Sequence, residues 1–184
     1  MNITNILRWI HILAGAAWLG EVVVVNFILV PILARELSGK TITALRVDTP
    51  VVLRVALRES AQELLPGAVI EGVSRRAHFV LFDLRGAGDR ALTLAVAPML
   101  AGRFSLDPPA KKRPADLALS LELSDGRELR YRDDVQMGKA YVIAAGAWAQ
   151  VPGLAHVGVD VLDRKAFTKP VFRALCKQRR DQAK

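Results

Sequence analysis

The sequence predicts a mainly β domain, a sandwich or barrel with peripheral helices, preceded by one long hydrophobic helix. Three observations carry this. After Gly39, short apolar runs alternate with polar residues at period two, as half-buried strands do. Two such runs flank Asp125-Gly126, a pair that supplies a tight hairpin turn. From Trp9 to Leu33 the chain is apolar except for His11, Glu21 and Asn26.

The hydrophobic run comes first. At about 25 residues it is long enough to cross a hydrocarbon layer of ~30 Å as a tilted helix. Trp9 stands where an interfacial aromatic would, and Gly15 and Gly20 are tolerated in membrane helices. The run is longer than the apolar part of a signal peptide. Residues 1–36 are therefore expected to form a membrane helix, or else a helix buried on a soluble body. Arg35 and Lys40 after the span would leave the remainder, 37–184, in the cytoplasm, tethered to the inner membrane through residues 9–33.

The body follows in short elements. "TITALRVD" and "VVLRV" read as strands. "LRESAQELL" puts Leu57, Ala61, Leu64 and Leu65 on one helical face, and Pro66-Gly67 ends it. "AVIEGVSRR", "HFVLFDL" and "ALTLAVA" read as three more strands. "LALSLEL" and "ELRYRD" form the hairpin, and "KAYVIAA" is a further strand. From Asp163 to Arg180 the spacing of Phe167, Val171 and Leu175 predicts a helix. The expected body is thus about eight strands and two helices.

The chain has 184 residues and a formal net charge of +8. Residues 1–34 hold one basic residue, Arg8, and one acidic residue, Glu21, so the whole excess lies in the body. A basic domain suggests a polyanionic partner, nucleic acid or an anionic membrane surface. The single cysteine, Cys176, excludes an internal disulfide. His11, His78 and His156 show no ligand spacing, so no metal site is expected.

Three stretches stand out. "APMLAGRF" carries Met99 and Leu100 into a small-residue turn before Arg103. "RYRDDVQMGKAY" carries Gln136 and Met137 on a polar loop before Lys139. The tail from Arg164 to Lys184 has eight basic residues and one acidic one. Apolar side chains on loops beside cations suit wedging into a base stack, with the cations on phosphates. The simpler reading is that these side chains cap the ends of the core.

In order and spacing, "LSGKTITALRV", "LPGAVIEGVSRRAHFVLFDL", "PMLAGRF", "LSLELSDGRELRYRDDVQMGKAYVI" and "VPGLAHVGVDVLD" resemble the N-terminal domain of formamidopyrimidine-DNA glycosylases and their endonuclease VIII relatives. The resemblance covers roughly residues 33–184. It implies a two-sheet β-sandwich with flanking helices and a role in base-excision repair. Members of that family flip a damaged nucleotide from the duplex and cut its glycosidic bond through a covalent imine. The implied partner is double-stranded DNA, bound weakly and with a preference for damage, without a small-molecule cofactor.

The implied DNA-binding residues are Arg76, His78, Leu100, Arg103, Gln136, Met137, Lys139 and Lys184. Leu100 falls where the family fills the gap left by the flipped base. Gln136 and Met137 fall where an arginine facing the orphaned base and an aromatic wedge are common. His78 replaces a phosphate-contacting lysine, and Lys184 lies near a lysine that precedes the family's next domain. No catalytic residue is implied: the family's N-terminal proline nucleophile and its glutamate fall at Glu21 and Val22. The helix-two-turns-helix module and zinc finger would follow Lys184. The expectation is therefore a DNA-binding domain, catalytically incompetent as it stands. A glycosylase whose ends differ from these remains a second reading, and a membrane-anchored β-domain acting as a structural or interaction module a third.

"LRWIHILAGAAWLG" is also similar to the first span of multi-helix membrane proteins of the copper-resistance and urate-hydroxylase type. Those proteins need further spans, and no second run of 18 apolar residues follows, so their activity is not expected here.

Overall fold

The computed structural model describes residues 2–99, 101–108 and 110–182, and side chains within these except at 17–23, 25–26 and 179–182. It divides into two compact units, Met1–Ala147 and Trp148–Lys184.

The first unit enters through α1 (Ile3–Val24), which passes through a π-helical turn, Val25–Leu29, into α2 (Val30–Leu37). Among the described residues no helix is long and apolar enough to cross a membrane. The span expected over residues 9–33 therefore finds no support, nor does the membrane as a partner. The physical reason lies in the second half of the run. Leu29 and Val30 pack against the core, Leu33 and Leu37 are buried in it, and Ile32 and Arg35 face outward. This part is an amphipathic helix docked on protein, with Pro31 in its first turn, where the missing N–H costs nothing. Its C-terminal end is tied down by Arg127, which donates to the Glu36 carboxylate at 3.0 Å, and by the Gly39 N–H, which donates to the Ile70 carbonyl at 2.7 Å.

Nine strands follow among the described residues: β1 (Ile42–Val47), β2 (Leu53–Val55), β3 (Val69–Arg76), β4 (Phe79–Arg85), β5 (Ala91–Ala97), β6 (Arg103–Asp107), β7 (Leu117–Leu123), β8 (Glu128–Arg132) and β9 (Lys139–Ala144). They form a four-stranded sheet, β1-β7-β8-β6, and a five-stranded sheet, β2-β9-β5-β4-β3. All neighbours are antiparallel except β2 and β9. The sheets pack face to face: Leu119, Leu121, Leu129 and Tyr131 of one share a buried cluster with Val80, Phe82, Leu94 and Val142 of the other. Each such side chain contributes about 1.5–3 kcal/mol by leaving water.

Three details differ from the sequence reading. β6 was not among the expected strands, which broke off at the turn before it. It is an edge strand, with Phe104 and Leu106 packed inward and Arg103 outward. The helix expected over 57–65 shrinks to one turn, α3 (Ala61–Leu64), started by a reciprocal cap between Ser60 and Glu63. The helix expected from Asp163 begins six residues later.

That helix belongs to the second unit. There a short helical turn, Trp148–Gln150, leads through turns to α4 (Lys169–Gln182), whose second residue, Pro170, fixes its start. Phe167 and Phe172 meet edge to face at 6.0 Å.

Candidate nucleic-acid interface

Strand register gathers three connections at one end of the first unit. The β3–β4 turn lies beyond the Arg76–Phe79 pair, and Val80 pairs with Val96 near the end of β5. Ala97, the last residue of β5, pairs with Lys139, the first of β9. Arg103, the first residue of β6, pairs with Arg132, the last of β8. The 77–78 turn, the 98–102 turn and the 133–138 loop are thus neighbours.

Each is tightly constrained. Of four non-glycine residues with positive φ among the described residues, three sit here, one per connection: Ala77 (52°), Met99 (51°) and Gln136 (57°). Such backbone conformations cost free energy and persist only where surroundings enforce them. Arg75 donates to the Ala77 carbonyl at 3.2 Å. The Gly102 N–H closes its turn on the Pro98 carbonyl at 2.8 Å. Asp133, buried, organises the third loop. Its Oδ1 accepts from the N–H groups of Val135 and Gln136 at 3.2 and 2.9 Å, and its Oδ2 from Gly138 at 2.6 Å.

Six of the eight expected DNA-binding residues converge on this end. Met137 is 56% exposed at the tip of its loop, beside exposed Gln136. Lys139 donates from Nζ to the carbonyls of Gln136, Met137 and Gly138 at 3.1, 3.4 and 3.0 Å, so it braces the loop and meets no carboxylate among the described residues. Arg103 is exposed at the head of β6. Arg76 is half-buried at the end of β3. His78 stands in the turn, its ring 4.4 Å from that of Phe79, and partial desolvation holds its pKa below the ordinary imidazole value. Leu100 and Lys184 lie outside the described residues. Met99, 39% exposed, joins the group.

Two basic residues lie elsewhere. Lys111 and Arg113 fold across the outer face of the four-stranded sheet, bound to Asp107 and Glu128. Among the described residues, no group of three or more His, Cys, Asp or Glu could hold a metal ion.

Sequence reasoning did not single out Tyr131, Asp133, Gly102 or Gly138. Only Asp133 leaves a trace in the sequence: an aspartate closing a strand and followed by a short polar loop signals an Asx-type turn.

A mainly β domain of two packed sheets defines the class: the sandwich found in structures of Lactococcus lactis Fpg. The complex of that protein with abasic-site DNA matches at a TM-score of 0.56 and 22% identity, over 63% of this chain and 41% of that one. Its complex with DNA containing N7-benzyl-Fapy-dG matches at 0.56 and 21%, over 62% and 40%. The profile of the formamidopyrimidine-DNA glycosylase N-terminal domain matches residues 21–140, well over half of the chain, and the chain belongs to that family. The formamidopyrimidine-DNA glycosylase of Brevibacillus brevis is 32% identical over 150 residues, 79% of this chain and 51% of that protein. That of Symbiobacterium thermophilum is 33% identical over 108 residues, 59% and 33%. The chain spans about half the length of these relatives or less.

Proposed function

We propose that the first unit binds double-stranded DNA with its loop end, preferring duplex in which a base is missing or damaged, in the setting of base-excision repair. The observation that carries the reading is the convergence of three strained connections that present exposed Met99 and Met137 beside Arg103, Lys139 and His78. Cations there meet phosphates, and the apolar tips enter a stack where unstacking is already partly done. The reading calls for no cofactor and places the protein in the cytoplasm with its DNA. It includes no base excision by this polypeptide, because Glu21, within a helix, stands where the family resemblance puts the proline nucleophile.

Fluorescence anisotropy with intact and abasic duplexes at several salt concentrations tests it. Affinity in the range of about 10⁻⁴ to 10⁻⁶ M is expected for intact DNA, with a logarithmic salt slope of about 0.9 per phosphate neutralised. Arg103→Ala should lower that slope by about one phosphate on both duplexes, whereas Met137→Ala should reduce the abasic preference alone. Binding without salt dependence would mean that these side chains are only core caps. A borohydride-trapped adduct on abasic DNA would overturn the non-catalytic part.

A further inference from the structure

The loops that carry Met99 and Met137 leave different strands, yet one hydroxyl stands between them. Tyr131 is fully buried in β8, its ring 5.2 Å from Phe104 and its Oη at the end of the sandwich. That oxygen lies 3.4 Å from the Pro98 carbonyl and 3.4 Å from Asp133 Oδ2. Pro98 O is the acceptor that closes the 98–102 turn, and Asp133 Oδ2 is the acceptor that holds Gly138. A continuous path thus runs from the Gly102 N–H through Pro98, Tyr131 and Asp133 to the Gly138 N–H.

The two glycines record how closely the loops crowd this oxygen. A Cβ on Gly138 would fall 1.9 Å from Tyr131 Oη and 2.9 Å from the Ala97 carbonyl. A Cβ on Gly102 would fall 2.6 Å from the same hydroxyl and 2.1 Å from the Pro98 carbonyl. Neither glycine has a positive φ, so close approach is what requires them. The hydroxyl has one proton and two acceptors, which it shares or alternates between. Burial and the nearby Asp133 charge raise its pKa, so it keeps that proton across the working pH range.

We propose that Tyr131, with Asp133 behind it, is a positioning residue that couples the 98–102 turn to the 133–138 loop, so that both apolar tips meet DNA as one rigid lip. This rests on the DNA-binding reading above. Rigidity fixed before binding removes an ordering cost that separate loops would carry. The effect should appear in discrimination rather than in phosphate contact, because neither Tyr131 nor Asp133 reaches the surface.

Tyr131→Phe in the full chain removes the bridge alone. The Gly102–Pro98 and Gly138–Asp133 bonds within each loop stay. Tyr141→Phe, on β9, is the control for losing a tyrosine hydroxyl. Amide exchange without DNA should rise at least threefold at both Gly102 and Gly138 in Tyr131→Phe and at neither in the control. The ratio of abasic to intact affinity should fall at least threefold, with intact-duplex affinity unchanged within a factor of two. Exchange that rises in one loop only, or in neither, overturns the coupling. Looser loops with an unchanged ratio overturn its role in discrimination. If the unaltered chain does not bind duplex DNA, the DNA-binding reading fails, and the exchange result alone then decides whether the loops are coupled.

Discussion

The outer face of the four-stranded sheet and the loop end of the sandwich treat positive charge in opposite ways. On the sheet face, Arg130 is fully buried and donates to Glu128 at 2.7 Å and to the Lys111 carbonyl at 2.9 Å. Arg113 binds Glu128, Lys111 binds Asp107, and Arg132 grips Asp116 through two bonds of 2.8 and 2.9 Å. The 111–116 segment is strapped to the sheet by these pairs. At the loop end, Arg103 and Lys139 have no carboxylate within salt-bridge distance among the described residues, although the Arg103 charge adds a little to the lowering of the Asp116 pKa. Charge neutralised inside the molecule serves the fold, while charge left without an acid is available to a polyanion. Net charge alone does not separate the two sets.

The largest effect should come from breaking the first. Glu128→Ala would leave Arg130 in a dry site with Asp107 at 3.6 Å as its remaining carboxylate, at a cost of up to about 3–5 kcal/mol, the range for removing one partner of a buried pair. Urea denaturation should show that loss, while duplex affinity per folded molecule stays unchanged. If affinity falls in step with stability, the two regions are not independent. Acid should reproduce part of the loss. Burial pushes the Glu128 pKa up, but hydrogen bonds from Ser120 and Arg130 and the Arg113 charge outweigh it and hold the pKa below the usual value. Asp107 is held low by Lys111 and Ser105. Carboxylates lowered in the fold contribute stability that is fully present above their unfolded values of about 4 and fades as pH falls through the folded ones. Stability should therefore drop below about pH 4 in the unaltered protein, and less so in a Glu128→Gln variant already weakened at neutral pH.

A smaller effect is expected at the other end. Gly138→Ala must move either the Tyr131 hydroxyl or backbone, an overpacking cost of about 1–3 kcal/mol. Unlike Glu128→Ala, it should also reduce the preference for abasic DNA, because the displaced groups hold the exposed tips. Thermal melts beside binding ratios separate the outcomes. Lost stability with the preference intact would show that the loop end is only a lid on the core.

How far these regions could be read from the sequence follows from how local their causes are. Most strands were legible as short apolar runs between turn residues, although β4, β5, β7 and β8 are buried on both faces rather than one. β6 was missed although Arg103-Phe104-Ser105-Leu106-Asp107 alternates, since a five-residue edge strand after a small-residue turn offers little signal. Its polar face is explained only by Lys111 and Arg130, which reach it from elsewhere. The apolar N-terminal run suggested a membrane, because hydropathy does not distinguish lipid from a protein core, and the burial of Leu33 and Leu37 decides for protein there. At the loop end, Gln136, Met137 and Lys139 were visible as an odd polar loop. Tyr131 was not. In the sequence it is an ordinary inward-facing strand residue, and its partner Pro98 is 33 positions away.

His78 offers the finest separation of the two regions. Its lowered pKa leaves it neutral at pH 7, so it should add little to phosphate binding there. Acidification changes this. Below the ordinary imidazole value of about 6.5 the ring gains a proton late, and a phosphate beside it would draw that proton on. Between pH 7.5 and 5.5 the logarithmic salt slope should therefore steepen by up to about 0.9, one phosphate's worth. The carboxylates of the sheet face stay ionised throughout this range, so the strap should not change. Folding runs the other way: a histidine whose folded pKa is depressed contributes stability above its unfolded value and loses it as pH falls. Tighter binding at pH 5.5 should thus accompany slightly lower stability. His78→Gln should flatten the pH dependence of the slope, and His78→Lys should show the steeper slope already at pH 7.5. A slope that steepens equally in His78→Gln would place the titrating group elsewhere and remove His78 from the interface.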